Sequence, residues 1–118
     1  MDASAALLDH PPNERLDAVT SALADGTRRG LLRLVRADEL SAGELAANFP
    51  HISRPAVSQH LRVLHEAGLV RVRPVGNRRM YRADIEALGP VSRFIEEMWS
   101  DRLQRLKQAA EAAERGRS

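Results

Sequence analysis

The sequence contains no cysteine. Disulfides, thiolate metal sites and cysteine nucleophiles are therefore excluded, and the lack fits a cytoplasmic protein. Aromatic residues are almost as scarce, with one Trp, one Tyr and two Phe in 118 residues, so the core must be aliphatic. No apolar run approaches the roughly 20 residues that cross a bilayer. Residues 1–13 have no basic start and no long apolar stretch, so neither a signal peptide nor a membrane partner is expected. Also missing are a phosphate-binding glycine loop, a nucleophile motif and a carboxylate pair tied to a histidine. The chain is read as no enzyme, with no cofactor.

Hydrophobic residues make up 43% of the chain. At this length that supports one small domain, or one domain with an appended helix. The net charge of +2 is uninformative, but its distribution is not. Between Ser53 and Ala83 there are seven arginines (54, 62, 71, 73, 78, 79 and 82) against one acid, Glu66. Residues 84–114 reverse the balance, with seven acids against four bases. A basic block of this kind is the electrostatic footprint of a polyanion-binding surface.

Within that block the stretch Ser53–Leu64 has the pattern of a helix with two different faces. Val57, Leu61 and Leu64 recur at i, i+4 and i+7 and form one apolar stripe. Ser53 is placed to cap the helix, Pro55 fits its first turn, and Gly68 permits its left-handed end. The other face carries Arg54, Pro55, Ser58, Gln59 and Arg62, all small, hydrogen-bonding or cationic. Such a helix can bury one side and lay the other in the major groove of DNA.

Around it the other elements follow in order. Residues 1–13 are read as a flexible arm. Asn13 is placed to cap a helix from Glu14 bearing Leu16, Val19 and Leu23. Asp25 or Thr27 caps a second helix, and Asp38-Glu39-Leu40 is read as a loop. Ser41 and Glu44 have the spacing of a capping box for a short helix, Ala42–Asn48, ended by Pro50. That helix, a turn and Ser53–Ala67 form a helix-turn-helix. Alternation at Val70 and Val72, a turn at Gly76-Asn77 and a return over residues 78–83 predict a two-stranded hairpin. From Pro90 a helix of about 24 residues carries Ile95, Trp99, Leu103 and Leu106 on one stripe, widened by Phe94 and Met98. So small a domain cannot cover it, and a second copy of the chain is expected to. The fold class is thus mainly α with a two-stranded wing, in the order α-α-α-α-β-β-α. Residues 14–83 are assigned to DNA binding and 84–118 to dimerisation. The interface set is Leu16, Val19, Leu23, Ile95, Trp99, Leu103 and Leu106.

These motifs resemble the ArsR family of bacterial winged-helix repressors. Residues 22–29, Ala-Leu-Ala-Asp-Gly-Thr-Arg-Arg, look like its opening "ALADPTRR", with Gly26 where proline is usual. Residues 40–46 match its third helix, 53–64 its recognition helix, and 68–70 with 76–81 its wing. The resemblance spans about residues 14–106. It implies a homodimer on double-stranded operator DNA that represses its own operon. The family's third-helix thiolate motif would place cysteines at Ala46 and Asn48, and its terminal-helix site needs histidine, which residues 84–118 lack. The chain therefore looks like the metal-independent branch, with no metal ligands and with its effector open.

The expected DNA contacts are Ser53, Arg54, Pro55, Ser58, Gln59, His60, Arg62, Arg78 and Arg79. Ser58 and Gln59 are placed to read base edges, and Arg54 guanine or phosphate. Arg62 is assigned to phosphate, and Arg78 and Arg79 to a hairpin tip reaching the minor groove or flanking phosphates. His60 flanks the apolar stripe, so packing and DNA contact compete there. Arg28 and Arg29 are read as structural, and Arg71 and Arg73 as solvated. The rival functions are a metal-responsive repressor of the same family and a winged-helix protein-interaction or antirepressor module.

Overall fold

A computed structural model describes residues 12–117. The expected flexible arm, except Pro12 and Asn13, lies outside the described residues. Among the described residues five helices and three strands follow one another. They are α1 Pro12–Leu23, α2 Gly26–Leu34, β1 Leu40–Ser41, α3 Ala42–Ala47, α4 Arg54–Glu66, β2 Val70–Val75, β3 Arg78–Ala83 and α5 Gly89–Arg117. A single 3₁₀ turn, Ile85–Leu88, joins β3 to α5.

Local chemistry sets most of these boundaries. Helix α1 begins at Pro12 rather than at Glu14, since proline at the first helical position loses no hydrogen bond. Asn13 therefore lies inside the helix and does not cap it. The Asp25 carboxylate accepts the Arg28 backbone N–H at 3.0 Å and caps α2. Ser41 and Glu44 form the full capping box of α3, and Ser53 Oγ accepts the Ala56 N–H to cap α4. Helix α4 ends in a Schellman motif. Gly68, at φ 79°, donates to His65 O, and Leu69 donates to Leu64 O, both at 2.9 Å.

The core is aliphatic. Leu31 from α2 and Val35 at its C-cap, Leu45 from α3, and Val57, Leu61 and Leu64 from α4 meet Leu69 and Val70 with almost no exposure. Phe49 is half-buried, and its ring lies so close to Gly30 that a Cβ there would come within 3.1 Å. Val19 and Ala22 of α1 close one side of this core. The expectation that Val19 belongs to an interface is thereby corrected. At 3% exposure it is consumed inside its own chain, because α1 packs on α2 and α5. Leu23 likewise packs on the core, while Leu16 is half-buried.

The sheet has three strands, not two. Its order is β1-β3-β2, antiparallel throughout, with Leu40 opposite Tyr81 and Val70 opposite Ala83. A two-residue strand shows no alternation in sequence, which is why Leu40 reads as loop there. Its backbone is extended because Ser41 must be non-helical to cap α3, and that extension places it along the edge of β3. Two further bonds, Ala83 N–H to Val35 O and Asp84 N–H to Leu69 O, fasten the hairpin to the helices. The hairpin turns at Gly76, φ 59°.

Helix α5 is 29 residues long and begins at Gly89, which also ends the 3₁₀ turn before it. At about 1.5 Å per residue it extends roughly 43 Å. It gives the described chain its 73 Å longest dimension.

Candidate nucleic-acid interface

Burial of Val57, Leu61 and Leu64 fixes the rotation of α4 about its own axis. Residues half a turn away must then face outward. Ser53, Arg54, Pro55, Ser58, Gln59 and Arg62 are all exposed. No acid lies among them from Ser53 to Arg62. Between α3, α4 and the hairpin runs an open cleft of about 1070 Å³. Arg54, Ser58 and Arg62 line one wall, and Arg78, Arg79 and Asn77 the other. Gln59 and Pro55 lie outside the cleft on the outer surface of the helix. Arg54 folds toward the first turn of α3, where a Cβ on Gly43 would come within 3.2 Å of its guanidinium.

The hairpin arginines divide in two. Arg79 has no ion pair or hydrogen bond among the described residues. The Arg78 guanidinium donates to Glu44 Oε1 at 2.8 Å and to Ser41 Oγ at 3.0 Å. The side chain stays 60% exposed on the wall of the cleft. Its side chain joins the hairpin to the capping box of α3. Glu44, which also accepts the Ser41 backbone N–H, holds its carboxyl below the usual value; that N–H is the main cause, with Arg78 adding to it.

Arg71 and Arg73 are not merely solvated. Arg71 pairs with Asp84 at 3.1 Å, and Arg73 makes a two-pronged pair with Glu39. That pair keeps the Glu39 carboxyl below its usual value. Of the seven arginines in the basic block, Arg54, Arg62, Arg79 and Arg82 carry no such pair among the described residues.

His60 is half-buried on the flank of α4. Its Nδ1 lies 3.3 Å from Arg28 Nη1, while Arg28 also donates to Ala22 O at 2.7 Å and Ser21 O at 3.1 Å. Arg29 donates to Leu23 O. The sequence reading of both arginines as structural agrees with these bonds, but it missed the Arg28–His60 contact. The two residues are 32 positions apart, and nothing local marks them as neighbours. Among the described residues no group of three or more His, Cys, Asp or Glu side chains converges. No helix among them is long and apolar enough to cross a membrane.

Residues 23–73 match a family model described as a helix-turn-helix domain. This region runs from the end of α1 through α4 into β2. The HTH-type transcriptional regulator Rv2034 of Mycobacterium tuberculosis is 45% identical over 84 residues, 71% of this chain and 78% of that protein. The arsenical resistance operon repressor of Staphylococcus xylosus is 30% identical over 83 residues, covering 70% and 79%. Among solved structures, an ArsR-like transcriptional regulator from Rhodococcus superposes with a TM-score of 0.68 at 36% identity. That match covers 83% of this chain and 94% of the other. Capped helix-turn-helix, hairpin and long terminal helix thus occur in the same arrangement in proteins of one kind. The chain belongs to the ArsR family of winged helix-turn-helix transcriptional regulators, and it is a DNA-binding repressor rather than an enzyme.

Proposed function

We propose that two copies of the chain pair through α5 and bind a pseudo-palindromic operator at the protein's own promoter, where they block transcription in the cytoplasm. Residues 14–83 read the DNA and 84–118 join the copies. The observation that carries this is the acid-free outer face of α4, flanked by an unpaired arginine on the wing. Two-fold symmetry in the protein requires two-fold symmetry in the DNA. The half-sites then lie about one helical turn, ~10–10.5 bp, apart.

Ser58 and Gln59 read base edges in this arrangement. Arg54, Arg62 and Arg79 supply the salt-sensitive phosphate attraction. Ser53 and Pro55 set the start of the helix against the backbone. Arg78 holds the wing to α3.

Footprinting of the region upstream of the gene tests the proposal, with titrations at several salt concentrations. Gln59→Ala is expected to lose ~1–3 kcal/mol on the operator and relax preference at one position per half-site. Arg79→Ala is expected to weaken specific and random duplexes alike and to flatten the salt slope by up to about 2 per dimer. Equal binding to all duplexes, with no protected site, would replace this reading with the interaction-module one.

A further inference from the structure

His60 is held from one side by a group that can only donate. A guanidinium has five N–H donors and no acceptor. Its approach to His60 Nδ1 at 3.3 Å therefore assigns the roles in that contact: Arg28 donates and the Nδ1 lone pair accepts. A hydrogen on Nδ1 would meet the guanidinium N–H head-on. Arg28 cannot easily turn away, because its Nε and Nη2 are engaged by Ala22 O and Ser21 O at the end of α1. The Asp25 carboxylate, capping α2, fixes the backbone of Arg28 as well.

The ring's other nitrogen faces a different environment. Nε2 has no hydrogen-bond partner among the described residues. It is not among the unpartnered buried polar atoms either, so it reaches solvent. His60 lies about 100° round α4 from the exposed Gln59, on the flank between the outer face and the buried stripe.

We infer that Arg28 is a positioning residue that locks His60 in the tautomer with hydrogen on Nε2, so that the recognition helix presents a donor of fixed polarity to an acceptor on DNA. The inference rests on the DNA-reading role of α4 given above. The acceptor is a phosphate oxygen or a purine edge atom such as N7. These share one chemistry, an oxygen or nitrogen lone pair. In a freely exchanging imidazole either nitrogen carries the hydrogen, and which one does is set by the bond the other makes. Here α1 and α2 make that choice through a side chain that never touches DNA. Its action on the operator passes entirely through His60.

The first test needs no DNA. Two-bond ¹H–¹⁵N correlation spectra of the neutral His60 ring in the intact protein should show a pyrrole-like Nε2 and a pyridine-like Nδ1. The reverse pattern overturns the inference. In Arg28→Met the ring should relax toward the free-imidazole mixture, with the Nδ1 and Nε2 shifts moving closer together and the Nε2–H form only in moderate excess. An unchanged tautomer there shows that Arg28 is not what sets it. Should Arg28→Met fail to fold, the wild-type spectrum and the His60 variants still decide.

The second test uses operator titration. His60→Ala should bind about tenfold more weakly, the size of one hydrogen bond to a charged or strongly polar acceptor. His60→Gln, whose amide NH₂ reaches the position of Nε2, should recover most of that loss. Wild-type affinity in His60→Ala overturns the donor role. A loss that is uniform across sequences assigns the acceptor to phosphate, and a loss confined to one base position assigns it to a purine. If the wild-type protein binds no discrete site at all, the operator reading fails, while the tautomer spectrum still reports on Arg28 separately.

Discussion

Glu44 accepts the Ser41 N–H at 3.1 Å and the Arg78 guanidinium at 2.8 Å on the same oxygen. One carboxylate thus starts α3 and anchors the wing. Its carboxyl, like those of Asp25 and Glu39, is held below its ordinary value. The causes are hydrogen bonds that only the ionised form accepts fully: from the Arg28 N–H for Asp25, the Arg73 guanidinium for Glu39 and the Ser41 N–H for Glu44. A lowered folded-state value means that the stabilisation is complete above the ordinary values, 3.8 for Asp and 4.5 for Glu. It is lost as pH falls through the lowered values. Thermal unfolding followed by circular dichroism should therefore give a steady midpoint from neutrality to about pH 5 and a falling one below pH 4.5. Glu44→Gln keeps a capping side chain but cannot ionise, so its midpoint should fall less steeply with acid than that of the wild type. Equal acid slopes in the two proteins would show that Glu44 contributes nothing to the effect. Ser41→Ala removes the cap itself and should cost ~1 kcal/mol at all pH values.

Among the elements, α4 joins core to surface, and its two ends show how much of the design was legible. Ser53, Pro55, the 57–61–64 stripe and Gly68 are local signals. Each acts within four or five residues, and each was readable in sequence as it stands in the structure. The wing was legible as a hairpin for the same reason: alternation and a Gly-Asn turn lie within one short stretch. What could not be read is long-range. The β1 strand has two residues and exists only beside β3. Arg78 meets Glu44 across 34 positions, Arg73 meets Glu39 across 34, and Arg28 meets His60 across 32. Residue counting put seven arginines in one basic block, with Arg54, Arg62, Arg78 and Arg79 expected on DNA and Arg71 and Arg73 in solvent. Folding returns three of the seven to carboxylates that lie outside the counted segment. Val19 fails as an interface residue on the same ground, since an apolar stripe in sequence does not say whether its own chain or another covers it. The end of α4 offers a direct check. Gly68 sits at φ 79°, where a Cβ is strained by roughly 1–2 kcal/mol. Gly68→Ala should lower stability by about that amount in urea unfolding without changing the m-value. Leu61→Ala, in the fully packed centre of the same helix, should cost ~2–5 kcal/mol. If the glycine change proved the more damaging of the two, packing would not be what holds α4 in place.

At the scale of the whole molecule, the outlier is α5. A compact chain of this length has a radius of gyration of about 13.5 Å, whereas the described residues give 19.7 Å. The excess comes from a helix whose large apolar residues are between 46% and 60% exposed from Phe94 to Leu106. Phe94, Ile95, Met98 and Trp99 form a shallow apolar hollow rimmed by Arg102, whose guanidinium lies 5.6 Å from the Trp99 ring centre. Burying the exposed half of six such side chains on each of two copies is worth roughly 9–18 kcal/mol gross, at ~1.5–3 kcal/mol for a whole side chain. Association costs about 4–15 kcal/mol in lost freedom. The two ranges overlap and their midpoints differ by only about 4 kcal/mol in favour of pairing, so the pairing should be sensitive to single changes. Light scattering at tens of micromolar is expected to give twice the 13.1 kDa chain mass. Leu103→Glu places two carboxylates in the seam of each dimer and should yield monomers. Trp99→Ala removes the largest side chain of the stripe and should shift dissociation to higher concentration. Both variants should keep the helical signal of the DNA-binding half, because neither residue belongs to the chain's own core. They should also lose the operator more than random duplex, since only a pair of recognition helices spans two half-sites. A wild-type mass of 13.1 kDa at that concentration would leave α5 without its proposed partner. A Leu103→Glu monomer that still protected the full operator would separate DNA recognition from pairing.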